Sequence, residues 1–305
     1  MAWRSLVVTQ PARMTLSQRA LRLRQDDLDV RVPLEDVAVV VIDQPQVLMT
    51  AALLSAMADA GIAVITVNGS HHPNGVLLPY LPHSRTLKVL RAQINLGMPH
   101  RKQLWKHIVQ RKIANQAAVL ELQGHEQAAH RLTAMVKEVR SGDTHNHESQ
   151  AARLHFRTLL GENFTRRQER LHNFAMDYSY AIVRGAIARS LVMHGFVTAL
   201  GLHHRSEQNA FNLADDLLEP FRPIVDLYVL QRFPRDSDER GLNRDDKAQL
   251  VRLLHHDIGQ TEENDSKGRC TVLTGVENAV ISLIQRLNDG GSRLCLPQFP
   301  LSAPQ

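Results

Sequence analysis

The chain has 305 residues and a formal net charge of +5, and its sixteen histidines can add positive charge at mildly acid pH. That length supports a large core divided between two domains, and the charge favours an anionic partner. The longest apolar run, Val37 to Ile42, is too short to span a bilayer, and no signal peptide is apparent at the start; Cys270 and Cys295 match neither a zinc ribbon nor a disulfide framework, so a reduced, cytoplasmic protein is expected.

Taken in order, the first eighty residues predict mostly strands. Leu6 to Thr9, Arg19 to Arg24, Val30 to Val32 and Val37 to Ile42 cluster or alternate aliphatic and β-branched residues, with arginines on the polar phase. One helix interrupts them. Asp43 is its expected cap, Pro45 suits its first turn, Val47, Leu48, Ala51, Leu54 and Ala58 line one face, and Gly61 stops it. A strand from Ile62 to Val67 follows, then turn signals at Asn68-Gly69 and Asn74-Gly75, and Tyr80 to Pro82 reads as the domain's end. From Ser84 the pattern changes to helical periodicity over 84–95, 99–121, 125–139, 148–160, 164–199, 212–232, 245–257 and 274–288. Segments 234–241 and 259–268 read as exposed polar loops. The proline-rich tail after Gly290 reads as extended or disordered, with Leu294, Leu296 and Phe299 available to dock a partner. The expected fold class is α+β: a β-rich domain over 1–82, a larger all-α catalytic domain over 83–290, and a tail over 291–305.

Three stretches carry candidate chemistry. In 203–223, Asn212 is placed to cap a helix whose apolar stripe is Leu213, Leu217 and Leu218, leaving Asp216 and Glu219 three residues apart on one side. Neighbouring carboxylates repel unless solvated, protonated or bridged by a cation, and Pro220 forces the helix to kink or end where Glu219 points. The letters alone allow a solvated acidic face or a divalent-metal site with His204 as nitrogen ligand. Glu148 opens a helix, where a first-turn acid also complements the helix dipole. The helix over 101–116 has an apolar stripe of Trp105, Ile108, Val109 and Ile113, with Lys102, Lys106, Arg111 and Lys112 around it, which suits a solvated face or a phosphate backbone. His145-Asn-His147 lacks the hairpin that its nuclease class needs, and His255-His256-Asp257 reads as a helix-surface cluster.

In combination these segments resemble the CRISPR-associated endonuclease and integrase subunit of the spacer-acquisition complex, of the kind found in type II systems. The resemblance is carried by W-R-S-L-V-V at the start, I-x-V-I-T-V-N-G at 62–69, L-W-x-x-I-V-x-x-K-I-x-N-Q at 104–116, E-x-x-A-A-R at 148–153, D-Y-S-Y-A-I-V-R at 177–184, G-L-H-H at 201–204 and L-A-D-D-L-L-E-P-F-R-P at 213–223. One departure is His155, where the family commonly has an aromatic.

The resemblance implies that Glu148, His204 and Glu219 bind a catalytic Mg2+ or Mn2+, with Asp216 an accessory acid. The G-x-x-H spacing assigns the family histidine to His204, with His203 the neighbouring alternative. It also implies joining of the 3'-hydroxyl ends of a short DNA duplex to a CRISPR repeat, a homodimer formed through the β-rich domain, and a small CRISPR-associated partner whose dimer bridges two homodimers. Strands near Arg19 to Arg24 and the helix over 101–116 are expected to track double-stranded DNA. Two rivals remain: a hydrolytic nuclease on branched DNA, and a non-catalytic nucleic-acid-binding scaffold.

Overall fold

The computed structural model describes residues 4–26, 28–80, 84–166, 170–233, 241–261, 267–291 and 293–299. Strands come first and helices dominate afterwards. The first strands are β1 (Arg4–Val8), β2 (Arg13–Ser17), β3 (Ala20–Gln25), β4 (Leu28–Pro33) and β5 (Val37–Ile42). A short β6 (Leu48–Met49), helix α1 (Ala51–Asp59), β7 (Ala63–Val67) and β8 (Pro73–Leu77) complete the region.

These strands form two sheets. One has the order β1-β5-β7-β8, with β1, β5 and β7 parallel and β8 antiparallel at the edge. Every residue of β5 is buried, as expected for the V-A-V-V-V-I run of a strand covered on both faces. The other sheet has the order β4-β3-β2-β6. Gln18 and Arg19 both have positive φ at the β2–β3 turn, so Arg19 turns the hairpin rather than extending β3. Met14 and Leu21 point into a core shared with Val37, Leu53, Met57 and Ile62.

Asp43 is not a helix cap. Thr50 caps α1, its hydroxyl accepting from the Leu53 amide at 3.3 Å. Asp43 instead follows β5 and is buried, accepting from Lys247 Nζ at 3.0 Å, from the Tyr178 hydroxyl at 3.2 Å and from His71 Nδ1 at 2.5 Å. Burial first, and then the Asp43 charge, push the Tyr178 phenol well above its ordinary pKa.

The helical region comprises α2 (Thr86–Asn95), α3 (Met98–Leu122), α4 (Glu126–Glu138), α5 (His147–Leu160), α6 (Leu171–Met193), α7 (Asn212–Leu218), α8 (Arg222–Arg232), α9 (Arg244–Val251) and α10 (Val272–Asp289). The helix expected over 164–199 is shorter at both ends in α6, and the one expected over 212–232 divides at Glu219–Phe221, a single 3-10 turn. That division is the break that Pro220 predicts, since proline supplies no N–H to the turn before it. Phe221 is fully buried in the core. Among the described residues no helix is long and apolar enough to cross a membrane.

A three-stranded sheet in the helical region was not predicted. It joins β9 (Asp257–Thr261), β10 (Lys267–Thr271) and β11 (Pro297–Gln298) in the order β10-β9-β11. Residues 259–261 and 267–268, expected as loop, are therefore strand, while residues 234–240 of the loop expected over 234–241 lie outside the described residues, as do residues 292 and 300–305 of the tail. The described part of the tail is docked: Leu294 and Leu296 are buried in the main core and Phe299 is half-buried against it.

Candidate active site

Helix α3 runs through the middle of the helical region, and its buried face carries polar groups among the apolar ones. Trp105, Ile108, Val109 and Ile113 are buried as the stripe predicts, but so are Lys112, Asn115 and Gln116. Lys112 stands four residues after Ile108 and three after Val109, so helical spacing turns it inward with them. It therefore does not face outward as a phosphate-backbone contact. Of the other basic residues on this helix, Lys102 is exposed and Lys106 half-buried. Arg111 is half-buried and donates to Gln298 Oε1 of β11 at 3.2 Å.

The Lys112 ammonium is shared by two carboxylates distant in sequence, donating to Glu148 Oε1 and to Glu219 Oε2. Glu148 lies in the first turn of α5. The amides of His147 and Glu148 are both taken, at 2.9 Å, by the two oxygens of Asp143, which fixes the start of the helix and the base of the Glu148 side chain. Glu219 lies in the 3-10 turn, and its other oxygen accepts from Arg222 Nε at 2.8 Å. Burial alone would raise the Glu219 pKa, but Lys112 and Arg222 outweigh it and hold the carboxyl at about 2. Burial likewise pulls the Lys112 pKa down, and Glu219 and Glu148 reverse that into a rise.

A buried network supports Arg222. Its guanidinium lies over the Tyr180 ring at 4.6 Å, the Tyr180 hydroxyl donates to Asp226 Oδ1, and Asp226 Oδ2 lies 3.1 Å from His155 Nε2. His155 is fully buried, so the imidazole at the family's aromatic position is a structural partner of Asp226.

Asp216 has partners of its own. It is buried and wrapped by the 202–204 loop: Oδ2 accepts from the Leu202 amide at 2.5 Å and the His203 amide at 3.1 Å, and Oδ1 accepts from the His204 amide at 3.1 Å and His204 Nδ1 at 2.7 Å. Four donors satisfy it, and through them it positions the loop. Gly201 allows the close approach, since a Cβ there would stand 2.4 Å from the His204 carbonyl oxygen and 2.9 Å from Asp216 Oδ2. Asn212 does not cap α7 either; Phe211 holds that position, and the Asn212 side chain ties the same loop through Ser206 and Ala199.

The two histidines are held differently. The His203 ring stacks on Trp105 with centroids 4.2 Å apart and planes 2° from parallel, and burial lowers its pKa. The His204 ring stands edge-on to Trp105, and its pKa is raised first by the hydrogen bond to Asp216. Fixing Nδ1 in this way leaves Nε2 as the nitrogen able to bind a ligand. The Glu219 charge adds to the rise at His204.

The structure thus brings Glu148 and Glu219 onto one cation, and holds His204 separately on Asp216. Among the described residues no three acidic, histidine or cysteine side chains are gathered closely enough to hold a metal ion. The remaining histidine motifs resolve as structure: His147 opens α5, His255 Nε2 meets Ser5 Oγ at 2.8 Å, and His256 packs edge-on to Tyr228. The roles of Lys112, Asp143, Tyr180 and Asp226 had not been predicted, and only Lys112 carried a readable signal, its place on the apolar stripe.

The profile of the family "CRISPR associated protein Cas1" matches residues 6–252. The CRISPR-associated endonuclease Cas1 of Neisseria meningitidis serogroup C (strain 8013) is 42% identical over 300 residues, covering 98% of this chain and 97% of that one. Among solved structures, a casposase bound to integration product has a TM-score of 0.77 at 16% identity, covering 100% of this chain and 96% of that chain. A Cas6-RT-Cas1–Cas2 complex has a TM-score of 0.71 at 18% identity, covering 98% of this chain and 36% of the longer one. With a family profile over most of its length and a close relative over nearly all of it, the chain belongs to the CRISPR-associated protein Cas1 family.

Proposed function

We propose that this protein is a metal-dependent DNA integrase of CRISPR adaptation, which joins the 3'-hydroxyl ends of a short DNA duplex to a CRISPR repeat by transesterification. The observation that supports it most is the convergence of Glu148 and Glu219, from α5 and the turn before α8, on the single positive charge of Lys112. Two carboxylates already gathered on a cation suit Mg2+ or Mn2+, and the His204 nitrogen, on joining them, would favour Mn2+. Glu148, Glu219 and His204 Nε2 would hold it. When bound, the metal would acidify the attacking 3'-hydroxyl and neutralise charge on the phosphorus oxygens.

The protein's own residues supply the geometry. Asp216 fixes the tautomer of His204, Arg222 keeps Glu219 ionised and aimed, and Asp143 fixes the start of α5. No side chain is needed as nucleophile, because the DNA 3'-hydroxyl itself attacks, and exchanging one phosphodiester for another is nearly balanced in energy, so no nucleotide hydrolysis is needed. The α3 face with exposed Lys102 and half-buried Lys106 is the proposed DNA track, and binding there would release counterions as phosphates are neutralised.

The proposed assembly is a homodimer through residues 1–82, where Leu16, Leu28, Val30 and Leu48 are exposed on the β4-β3-β2-β6 sheet. A small CRISPR-associated protein would bridge two homodimers; that one structural neighbour is a Cas1–Cas2 complex supports such a partner. The test is a strand-transfer assay on a supercoiled repeat-bearing plasmid with Mg2+ or Mn2+, with and without the small partner. Glu148→Ala should abolish joining and keep DNA binding. Wild-type joining by that variant would refute the metal assignment, and cutting of branched DNA without joining would favour the hydrolytic reading.

A further inference from the structure

Lys112 has no place in the donor set of a metal site, yet it is the group on which that site closes. Its side chain is 6% exposed, and its ammonium occupies one oxygen of Glu148 and one of Glu219. Those carboxylates are the ones a divalent cation would need. Charge makes the same point. Glu148 and Glu219 carry two negative charges and Lys112 and Arg222 two positive ones, so the cluster is neutral as it stands. Adding a divalent cation beside an unmoved Lys112 would leave two positive charges in excess in a buried place, where like charges repel strongly. Arg222 cannot yield, because it is pinned over Tyr180 and bonded to the far oxygen of Glu219. Lys112 can: its flexible stem carries a point charge, and the cluster opens on the side of Glu148, whose side chain is 28% exposed.

We propose that Lys112 is a built-in place-holder: its ammonium holds Glu148 and Glu219 together in the metal-free protein, competes with the divalent cation for them, and swings toward the open side when that cation binds. This rests on the metal reading given above. It makes Lys112 a positioning residue that preorganises the ligand pair and sets the metal affinity below what the two acids alone would give.

Two measurements on the full chain after chelator treatment test it. In calorimetry with Mn2+ alone, Lys112→Met should bind at least 10-fold more tightly than wild type, because the competing charge is gone. Lys112→Arg, which keeps the charge, should bind no more tightly than wild type. Metal-free Lys112→Met should melt below wild type and gain more from Mn2+. On the wild-type chain itself, acylation of Lys112 followed by peptide mass analysis should rise several-fold when Mn2+ saturates the site. Unchanged or weaker Mn2+ binding by folded Lys112→Met overturns the proposal. So does a Lys112 amine no more reactive with Mn2+ than without it, a result that stands even if the variant fails to fold. Wild-type protein that takes up no Mn2+ sensitive to Glu148→Ala would instead overturn the metal reading itself, and the place-holder with it.

Discussion

Asp216→Asn isolates how the histidine loop is held. The carboxylate accepts two donors at each oxygen: the Leu202 and His203 amides at one, the His204 amide and ring at the other. An amide of the same shape has one accepting oxygen, so either orientation sets its own NH2 against one pair of donors. Leaving two buried N–H groups unpaired at about 1–3 kcal/mol each gives roughly 2–6 kcal/mol. The His204 side chain is 39% exposed, so water recovers part of the loss, and about 2–4 kcal/mol remains. The loss is local to the loop, so hydrogen exchange resolved to the 202–204 amides is the right assay. At 1.4 kcal/mol per factor of ten, exchange should quicken roughly 30- to 700-fold while α3 and α6 keep their protection. Exchange within a factor of three of wild type would refute the reasoning, since the carboxylate would then not be what fixes the loop.

Two further outcomes follow from other regions. Leu296→Ala should lower stability in urea by about 2–4 kcal/mol, because this tail residue is only 3% exposed; a neutral change would mean the tail does not belong to the core. Burial pushes the Cys270 thiol up to about 11, so its reaction with a disulfide reagent at pH 8 in a Cys295→Ser background should be on the order of 100-fold slower than that of a free thiol. Because its folded pKa is raised, the thiol's contribution to stability is complete below its ordinary pKa and is lost as pH climbs towards 11. Labelling at the free-thiol rate at pH 8 would show Cys270 to be unburied.

Much of the site was legible because its chemistry rests on residue types with few innocent uses. A glutamate followed by proline ends a helix at a fixed place, and Glu219 stands in the 3-10 turn that results. What stayed hidden depended on tertiary partners. Lys112 was read with its basic neighbours, although its spacing from Ile108 and Val109 put it on their face. Asp43 had the letters of a helix cap, but the helix begins at Ala51 and the acid answers to Lys247 and Tyr178 far along the chain. The polar strands β9 and β10 have weak intrinsic preference, and the pairing of β9 with β11 of the tail is information no local window holds.

The contacts of Asp43 bear on how such proteins can be recombined. Its counter-charge lies 204 positions away on α9, and a phenol on α6 completes its shell. A buried acid deprived of that amine must find a proton or tear open its surroundings, at a cost of about 3–5 kcal/mol. Chimaeras that graft the first eighty residues of one relative onto the helices of another should therefore survive only when acid, amine and phenol are inherited as a set, and the two halves should melt in a single transition.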